Sequence, residues 1–196
     1  MKAVLFEEHG ALGVLRYGDV PEPSPGPGDV LLKVKAAALN FNDIWARLGL
    51  PRVRLPLPHI SGTDAAGVVV AVGPGVEHVH VGQEVITYPV CSCRHCPACL
   101  AGEEVFCKSM KIWGFQTGPL DGSYAEYAKI PAAQVLPKPA HLSWVQAAAL
   151  TTSALSVWRM LASRAKVVPE RSESGRKRPG TPSAATNAIT HAAARQ

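Results

Sequence analysis

The sequence predicts a mainly β domain that carries a small cysteine-rich lobe and ends in helices. The chain has 17 Gly and 17 Pro among its 196 residues, most of them before residue 140, with short runs rich in Val and Ala between them. Such frequent breaks favour many short strands. Four of the five cysteines lie close together at 93–107, and after Pro139 the spacing of the apolar residues becomes helical.

Five strands and a short helix are predicted before residue 140. Apolar runs, alternating or continuous, place the strands at residues 2–6, 30–39, 67–72, 84–88 and 123–130. Residues 42–48 predict a short helix. The proline-rich segment 21–29 is expected to be a surface connection, because proline has no backbone N–H to donate within a sheet.

Two helices are predicted beyond residue 140. Ser143 with Gln146 forms a capping-box pattern at the start of the first one. The second is predicted at 153–165, where apolar residues recur at steps of three and four. Its predicted stripe consists of Leu155, Trp158, Leu161 and Ala165.

Charge and hydropathy argue against nucleic-acid and membrane partners. The net charge is +5, but residues 167–196 contribute +3 of it and contain no aromatic residue, Leu or Met. No basic stripe interleaved with aromatic residues is present, so we expect no nucleic-acid partner. The start of the chain lacks a signal-peptide core, and the longest apolar stretch is far shorter than the roughly 20 residues of a membrane span. We therefore expect a cytoplasmic protein.

The cysteine spacing indicates a metal site. Cys93, Cys96, Cys99 and Cys107 follow a C-x2-C-x2-C-x7-C pattern. Four thiolates complete a tetrahedron and leave no open position, which is typical of structural Zn²⁺. An iron–sulfur cluster fits less well, because its bacterial spacing has three residues before the last Cys and a Pro after it. Unligated buried cysteines are the third alternative. Cys91 is left over, and a plain loop cysteine is favoured over a spare or competing ligand.

Several segments, in their order and spacing, resemble the medium-chain dehydrogenase/reductase superfamily of zinc-type alcohol dehydrogenases and quinone oxidoreductases. They include KAVLFEEHG, PGPGDVLLKVKAAALNFND, HISGTDAAGVVVAVGPGV, the cysteine lobe and DGSYAEYAKIPAAQVLPKP. The resemblance implies that residues 1–140 form the GroES-like catalytic domain, a partly open barrel, with the zinc lobe at 91–112. Residues 141–166 would then lead into a cofactor domain. Within the lobe, the family's structural zinc ligands correspond to the four spaced cysteines.

The same resemblance predicts no catalytic zinc. Where the alcohol dehydrogenases have a Cys ligand, this chain has the segment Asn40 to Asp43, and their Gly-His-Glu motif appears as Gly62, Thr63 and Asp64. The position of their third catalytic zinc ligand corresponds to a residue near Thr152 in this chain. Amide and hydroxyl groups are poor Zn²⁺ ligands beside thiolate and imidazole. The chain thus resembles the zinc-independent quinone-reductase branch.

In that branch, hydride passes from NADPH or NADH to a small carbonyl, quinone or activated alkene without a metal. The resemblance implies a catalytic cleft and a cofactor side, and it leaves homo-oligomerisation open. The cleft residues would be Asn40, Asp43 and Asp64, and the cofactor-side residues would be Thr152, Ser153 and Ser156.

Purely structural roles remain as alternatives for several of these residues. Asp43 could cap the 42–48 helix, and Asp64 could accept hydrogen bonds from backbone amides. Trp45 and Trp113 could form an apolar wall of the substrate pocket or pack in the core. Single histidines such as His59 are usually surface or satisfied core residues.

The sequence lacks the Gly-rich βαβ turn that binds a dinucleotide. The composition changes abruptly near Val167, as a frameshift or fusion would produce, and residues 167–196 are expected to be disordered or frameshifted. We therefore expect the N-terminal catalytic domain of an NAD(P)H-dependent oxidoreductase, truncated and inactive alone. The alternative is a free-standing, zinc-stabilised module that binds a partner chain.

Overall fold

The structure is a computed structural model that describes residues 1–51, 53–115 and 120–167. The chain divides into two compact units, Met1–Thr152 and Ser153–Gln196. Three short 3-10 turns connect elements of the first unit, at Leu12–Val14, Glu104–Phe106 and Ala132–Gln134. The strands and helices are β1 (Lys2–Leu5), β2 (Arg16–Asp19), β3 (Asp29–Ala38), α1 (Phe41–Leu48), β4 (Asp64–Val72), β5 (Glu84–Thr87), β6 (Val90–Cys91), α2 (Pro97–Leu100), β7 (Lys111–Ile112), β8 (Tyr127–Pro131), β9 (Val135–Pro137) and α3 (Trp144–Trp158).

An antiparallel five-stranded sheet forms the centre of the first unit. Its strand order is β8-β3-β4-β5-β9, and β1–β2 and β6–β7 form two separate two-stranded sheets. The pairing of β3 with β4 shifts register after Leu31 and again after Val34. Such bulges bend a strand and increase its twist. The predicted mainly β fold class is confirmed.

The main core lies on one face of this sheet. Val30 and Leu32 of β3, Val69 of β4 and Val85 of β5 are fully buried there. Alternate residues of a strand point to the same face, so these positions converge on one apolar layer. Trp113 is also fully buried in this cluster, and its Nε1 donates to the Lys129 carbonyl at 2.9 Å. Trp113 is therefore a core residue.

Helix α3 packs through small residues. Ala147 and Ala148 are fully buried against Ala66 of β4 and Ile86 of β5, because alanine lets helix and sheet approach closely. The predicted capping box precedes the helix: the Ser143 amide donates to Gln146 Oε1 at 3.0 Å, and the Gln146 amide donates to Ser143 Oγ at 3.3 Å.

The structure differs from the sequence prediction in three places. The predicted strand 123–130 is shortened to β8, because the Ser123 and Tyr124 amides bond instead to the carbonyls of Gly62 and Ser61. Strands β2, β6, β7 and β9, each of two to four residues, were not predicted. The two predicted helices are one helix, α3, followed by a π-helical turn at Arg159–Arg164, because neither Gly nor Pro interrupts the segment.

The predicted tail, 167–196, lies outside the described residues from position 168 onward. Within the described part of the chain, no helix has the length and apolarity needed to cross a membrane.

Candidate functional site

Four polar side chains meet where β3 ends, β4 begins and α3 passes close to both. Asn40 follows β3, Thr63 and Asp64 stand at the start of β4, and Thr152 lies on α3. Thr63 and Asp64 have no exposed surface. We call these four residues the polar cluster. They include the positions at which the resemblance predicts that this chain lacks the catalytic zinc ligands of the alcohol dehydrogenases.

Asp64 is the acceptor at the centre of the polar cluster. Its Oδ2 accepts from Asn40 Nδ2 at 2.9 Å, and its Oδ1 accepts from the Thr152 amide at 3.1 Å and from the Thr152 hydroxyl. Thr63 Oγ1 lies 3.3 Å from Asn40 Nδ2 and 3.4 Å from Thr152 Oγ1. A buried carboxylate requires such donors, because water cannot solvate it. The structural alternative for Asp64, an acceptor of backbone amides, thus applies in part.

Asp43 lies beside this cluster and caps α1. Its Oδ2 accepts from the Asn40 amide at 2.7 Å, which completes a capping box with the Asn40 side chain. The Tyr124 hydroxyl donates to the same oxygen at 2.6 Å. Burial raises the pKa of Asp43 above its usual range, against the lowering effect of the Tyr124 and Asn40 bonds. Burial and the nearby Asp43 carboxylate raise the pKa of Tyr124.

Chemically, the polar cluster offers one carboxylate, one amide and two hydroxyls, and no thiol or imidazole. Among the described residues, only the cysteine lobe holds three or more side chains of the metal-binding types close enough to share an ion. The donor set of the polar cluster is unsuited to Zn²⁺.

The other predicted site residues lie elsewhere. Ser153 and Ser156 belong to the Ser153–Gln196 unit, and both side chains are exposed. Trp45 of α1 is 46% exposed, with the Phe41 ring 6.2 Å away, so it remains available as an apolar wall. His59 is a satisfied core residue: its Nε2 lies 3.1 Å from the Gly114 carbonyl, and burial lowers its pKa.

The four spaced cysteines come together as the sequence predicts. Their sulfur atoms all lie within 4.8 Å of one another. Cys93 and Cys99 Sγ are 3.8 Å apart, and Cys96 and Cys99 Sγ are 3.4 Å apart. Four sulfurs arranged tetrahedrally at about 2.3 Å from a zinc ion lie about 3.8 Å apart. The cluster therefore fits a closed, structural Zn²⁺ site.

The local backbone explains why these sulfurs converge. Cys96 is the N-cap of α2, with Pro97 at the first helical position, which brings Cys99 one turn on. Arg94 adopts a left-handed backbone conformation (φ 62°), and its guanidinium donates to the Ala133 carbonyl at 2.7 Å. Hydrogen bonds from the backbone of His95 and Cys96 lower the pKa of Cys93 to about 6, which favours the thiolate that binds metal.

Cys91 stands apart from this cluster. Burial raises the pKa of its thiol, and its sulfur lies 3.9 Å from the Pro89 carbonyl. Its prediction as a loop cysteine needs one correction, because Cys91 ends the short strand β6.

Sequence reasoning missed Tyr124 as part of the site. It was read only as one residue of an alternating strand, whereas its hydroxyl reaches Asp43 from 81 positions along the chain. No local pattern signals such a contact. Thr63 was named only as a replaced ligand position, although its hydroxyl joins Asn40 to Thr152.

Comparisons with known proteins show the family of the chain. A crotonyl-CoA carboxylase/reductase of Cereibacter sphaeroides is 36% identical over 165 residues, covering 81% of this chain and 38% of the relative. An alcohol dehydrogenase of Geobacillus stearothermophilus is 34% identical over 162 residues, covering 82% of this chain and 47% of the relative. The chain thus spans less than half the length of these relatives.

A solved structure of an NAD-dependent alcohol dehydrogenase matches with a TM-score of 0.81 at 44% identity, covering 86% of this chain and 48% of that one. The family model of the alcohol dehydrogenase GroES-like domain matches residues 26–140, more than half of the chain. The chain therefore belongs to this family of GroES-like domains, within the medium-chain dehydrogenase/reductase superfamily.

Proposed function

We propose that the chain is the substrate-side domain of an NAD(P)H-dependent oxidoreductase that reduces a small carbonyl, quinone or activated alkene without a catalytic metal. The polar cluster carries this proposal, because Asp64 is fully buried and three donors from Asn40 and Thr152 hold it in place. A fixed cluster of this kind orients a substrate oxygen at little entropic cost.

In the proposed site, the chain's own residues bind and orient. Asn40 and Thr152, which are partly exposed, are the polar groups that a substrate oxygen could reach, while the fully buried Asp64 fixes their positions. The exposed Trp45 and Phe41 rings supply apolar surface on α1, the helix that Asn40 caps. A bound nicotinamide would supply the hydride.

The described residues form no βαβ unit, since every strand pair is antiparallel. The expected cofactor-side roles of Thr152, Ser153 and Ser156 stay proposals. We also propose that the 196-residue chain alone shows no NADPH-dependent turnover. Detectable reduction of a quinone by the purified chain would contradict that part of the proposal.

The zinc lobe has a structural role in this proposal. Its four sulfurs leave no open position for a substrate, so a bound Zn²⁺ would stabilise the segment between Cys93 and Cys107 rather than take part in the reaction.

Substrate binding can be tested on the whole chain without cofactor. Titration with menadione, a quinone, should shift the NMR signals of the Asn40 side-chain amide saturably, and Asn40→Ala should weaken binding by about threefold to tenfold, as loss of one hydrogen bond predicts. Asn42→Ala, a change of the same residue type on α1, is the matched control. Shifts that avoid the polar cluster, or equal effects of both variants, would contradict the proposal.

A partner-binding module remains the second candidate, and one observation favours it. Large apolar side chains are exposed in the Ser153–Gln196 unit, including Trp158 at 41%, Met160 at 57% and Leu161 at 50%. Exposed apolar groups of this size often mark an association surface. Capture of a dinucleotide-binding protein by the wild-type chain, lost in Met160→Glu, would favour this candidate.

A further inference from the structure

The Tyr124 hydroxyl has two hydrogen-bond acceptors within reach but only one proton to donate. It lies 2.6 Å from Asp43 Oδ2 on α1 and 3.3 Å from the carbonyl oxygen of Ala38 at the end of β3. All three residues belong to the Met1–Thr152 unit. Because a hydroxyl rotates about its C–O bond, its proton can point to either acceptor, and the charge of Asp43 decides which acceptor it faces.

Asp43 connects this hydroxyl to the polar cluster. Its Oδ2 also accepts from the Asn40 amide at 2.7 Å, and the Asn40 side chain donates through Nδ2 to Asp64 Oδ2 at 2.9 Å. A single oxygen atom of Asp43 thus joins Tyr124 to Asn40, a residue that would hold the substrate oxygen in the proposed function.

Burial is the main influence on the Asp43 carboxyl group. It raises the pKa, and the nearby Asp64 carboxylate adds to this effect. Hydrogen bonds from the Tyr124 hydroxyl and from the Asn40 and Gly62 amides lower the pKa but do not cancel the rise. No ion pair among the described residues involves Asp43. The titratable or charged side chains around it are Tyr124, Asp64 and His59, together with Arg47, Lys2 and Glu126, which share a groove with it.

Protonation of Asp43 would reverse the hydrogen bond to Tyr124. The ionised Oδ2 accepts from both the Asn40 amide and the Tyr124 hydroxyl, whereas a protonated Oδ2 has a proton of its own to donate. The Asn40 amide cannot turn away, but the Tyr124 hydroxyl can donate to the Ala38 carbonyl and accept from Asp43. Hydrogen bonds to a charged acceptor are roughly twice as strong as neutral ones, so the Asn40 amide is held less firmly once Asp43 is neutral.

We propose that Tyr124 is a positioning residue, which holds Asn40 in place through ionised Asp43 and releases it when Asp43 takes up a proton. One proton enters from the solvent and none leaves Tyr124, so the site loses one negative charge. The consequence for the substrate rests on the proposed function. The polar cluster should bind a quinone more weakly when Asp43 is neutral, because Asn40 is then less well oriented.

The position of Asn40 can be followed in the whole chain without substrate or cofactor. NMR signals of the Asn40 backbone and side-chain amides, and of the Asp43 carboxyl carbon, are recorded from about pH 8 to about pH 4. We expect all three to shift in one transition, with a midpoint above the usual pKa of aspartate. Asp43→Asn keeps the shape of the side chain but cannot ionise, so the Asn40 transition should be absent in this variant.

Replacement of the Tyr124 hydroxyl tests its part directly. Tyr124→Phe keeps the ring but removes one donor from ionised Asp43, so the midpoint should rise by about 0.5 to 1 pH unit. Tyr127→Phe is the matched control, because Tyr127 lies three residues further along on β8 and makes no described hydrogen bond to Asp43. It should leave the midpoint unchanged. His59→Gln should also keep the transition, which distinguishes protonation of Asp43 from that of His59.

The wild-type titration needs no variant, so the proposal can still be tested if Tyr124→Phe does not fold. Three results would overturn it. The Asn40 transition could be absent in the wild-type chain, it could persist in Asp43→Asn, or it could have the same midpoint in Tyr124→Phe and Tyr127→Phe.

Titration with menadione above and below the midpoint separates this proposal from the proposed function. Menadione itself has no group that ionises in this range. We expect its affinity to fall by about twofold to fivefold as Asp43 is protonated. Binding with unchanged affinity would overturn the link between Asp43 and the substrate. If menadione does not bind at any pH while the Asn40 transition is present, the positioning role of Tyr124 is supported and the proposed function is contradicted.

Discussion

At the scale of single residues, the Asp64 carboxylate links three separate segments of the chain. It accepts from Asn40 after β3 and from Thr152 on α3, and it stands itself at the start of β4. Replacing Asp64 by Asn keeps the side-chain volume. One carboxylate oxygen becomes an amide N–H₂, so the donors that faced that oxygen lose their acceptor.

We predict that Asp64→Asn lowers the free energy of unfolding by about 2–4 kcal/mol, since buried bonds to a charged group are lost. Urea denaturation measures this change. Asp121→Asn is the matched control: its Oδ1 accepts from the Ile60 amide at 2.9 Å, but its side chain is 54% exposed, so the loss should stay below about 1 kcal/mol. Equal losses would contradict the central role of Asp64.

His59 should make stability depend on pH. Burial holds its pKa below the usual value of about 6.5, so the unfolded chain binds a proton more readily than the folded one. Stability from neutral His59 is complete above that value and is lost as the pH falls through the lower folded-state pKa. Unfolding free energy should therefore decrease from pH 7 to about pH 5.

His59→Gln, which retains an N–H donor for Gly114, should flatten this dependence. The slope from one group is at most about 1.4 kcal/mol per pH unit. The exposed His78 provides the control, because His78→Gln should keep the wild-type slope. An unchanged slope in His59→Gln would refute the assignment.

At the scale of elements, the cysteine lobe consists of short pieces with little apolar core. Helix α2 has four residues, and β6 and β7 have two each. Such short elements have little stability alone, so we expect a bound metal ion to stabilise the lobe. We therefore expect the lobe to lose its structure when any one of the four cysteines is replaced.

We predict that EDTA, or the substitution Cys99→Ser, exposes the cysteine lobe to trypsin, at Arg94 between the first two cysteines and at Lys108 directly after the last. Cys91→Ser should remain protected, because Cys91 lies outside the sulfur cluster. Limited proteolysis followed by mass spectrometry measures both. Equal protection of the Cys99 and Cys91 variants would exclude a metal-dependent lobe.

A second feature at this scale is the close approach of the backbone at Gly122 to the backbone at Gly62, two residues before Asp64. An added Cβ at Gly122 would lie 2.2 Å from the Gly62 carbonyl oxygen, which is backbone and cannot move aside cheaply. Gly122→Ala should therefore destabilise the fold by about 1–3 kcal/mol in a thermal or urea unfolding experiment. Gly13→Ala, with open space around its Cβ, should change stability by less than about 0.5 kcal/mol, and equal effects would contradict this packing.

The elements also show where sequence reasoning succeeds and fails. The strands with long apolar runs, β3 and β4, and the capped helix α1 were predicted to within three residues, because periodicity and capping are local. The cysteine cluster was predicted from spacing alone. The contact of Tyr124 with Asp43 depends on tertiary neighbours, so no local pattern could reveal it.

At the scale of the whole molecule, the chain combines a zinc-binding lobe with a polar cluster that lacks zinc ligands. It spans less than half of its curated relatives, so the complete reaction remains a proposal. The proposed roles are distinct: a metal ion in the lobe would supply stability, and hydrogen bonds in the polar cluster would orient the substrate.

The most direct measurement is the zinc content of the purified chain after equilibration with excess zinc and gel filtration. We predict one zinc ion per chain, lost in Cys99→Ser and kept in Asp64→Asn, Thr152→Val and Cys91→Ser. Two ions per chain, or one ion that survives Cys99→Ser and disappears with Asp64→Asn, would place metal in the polar cluster and contradict the account.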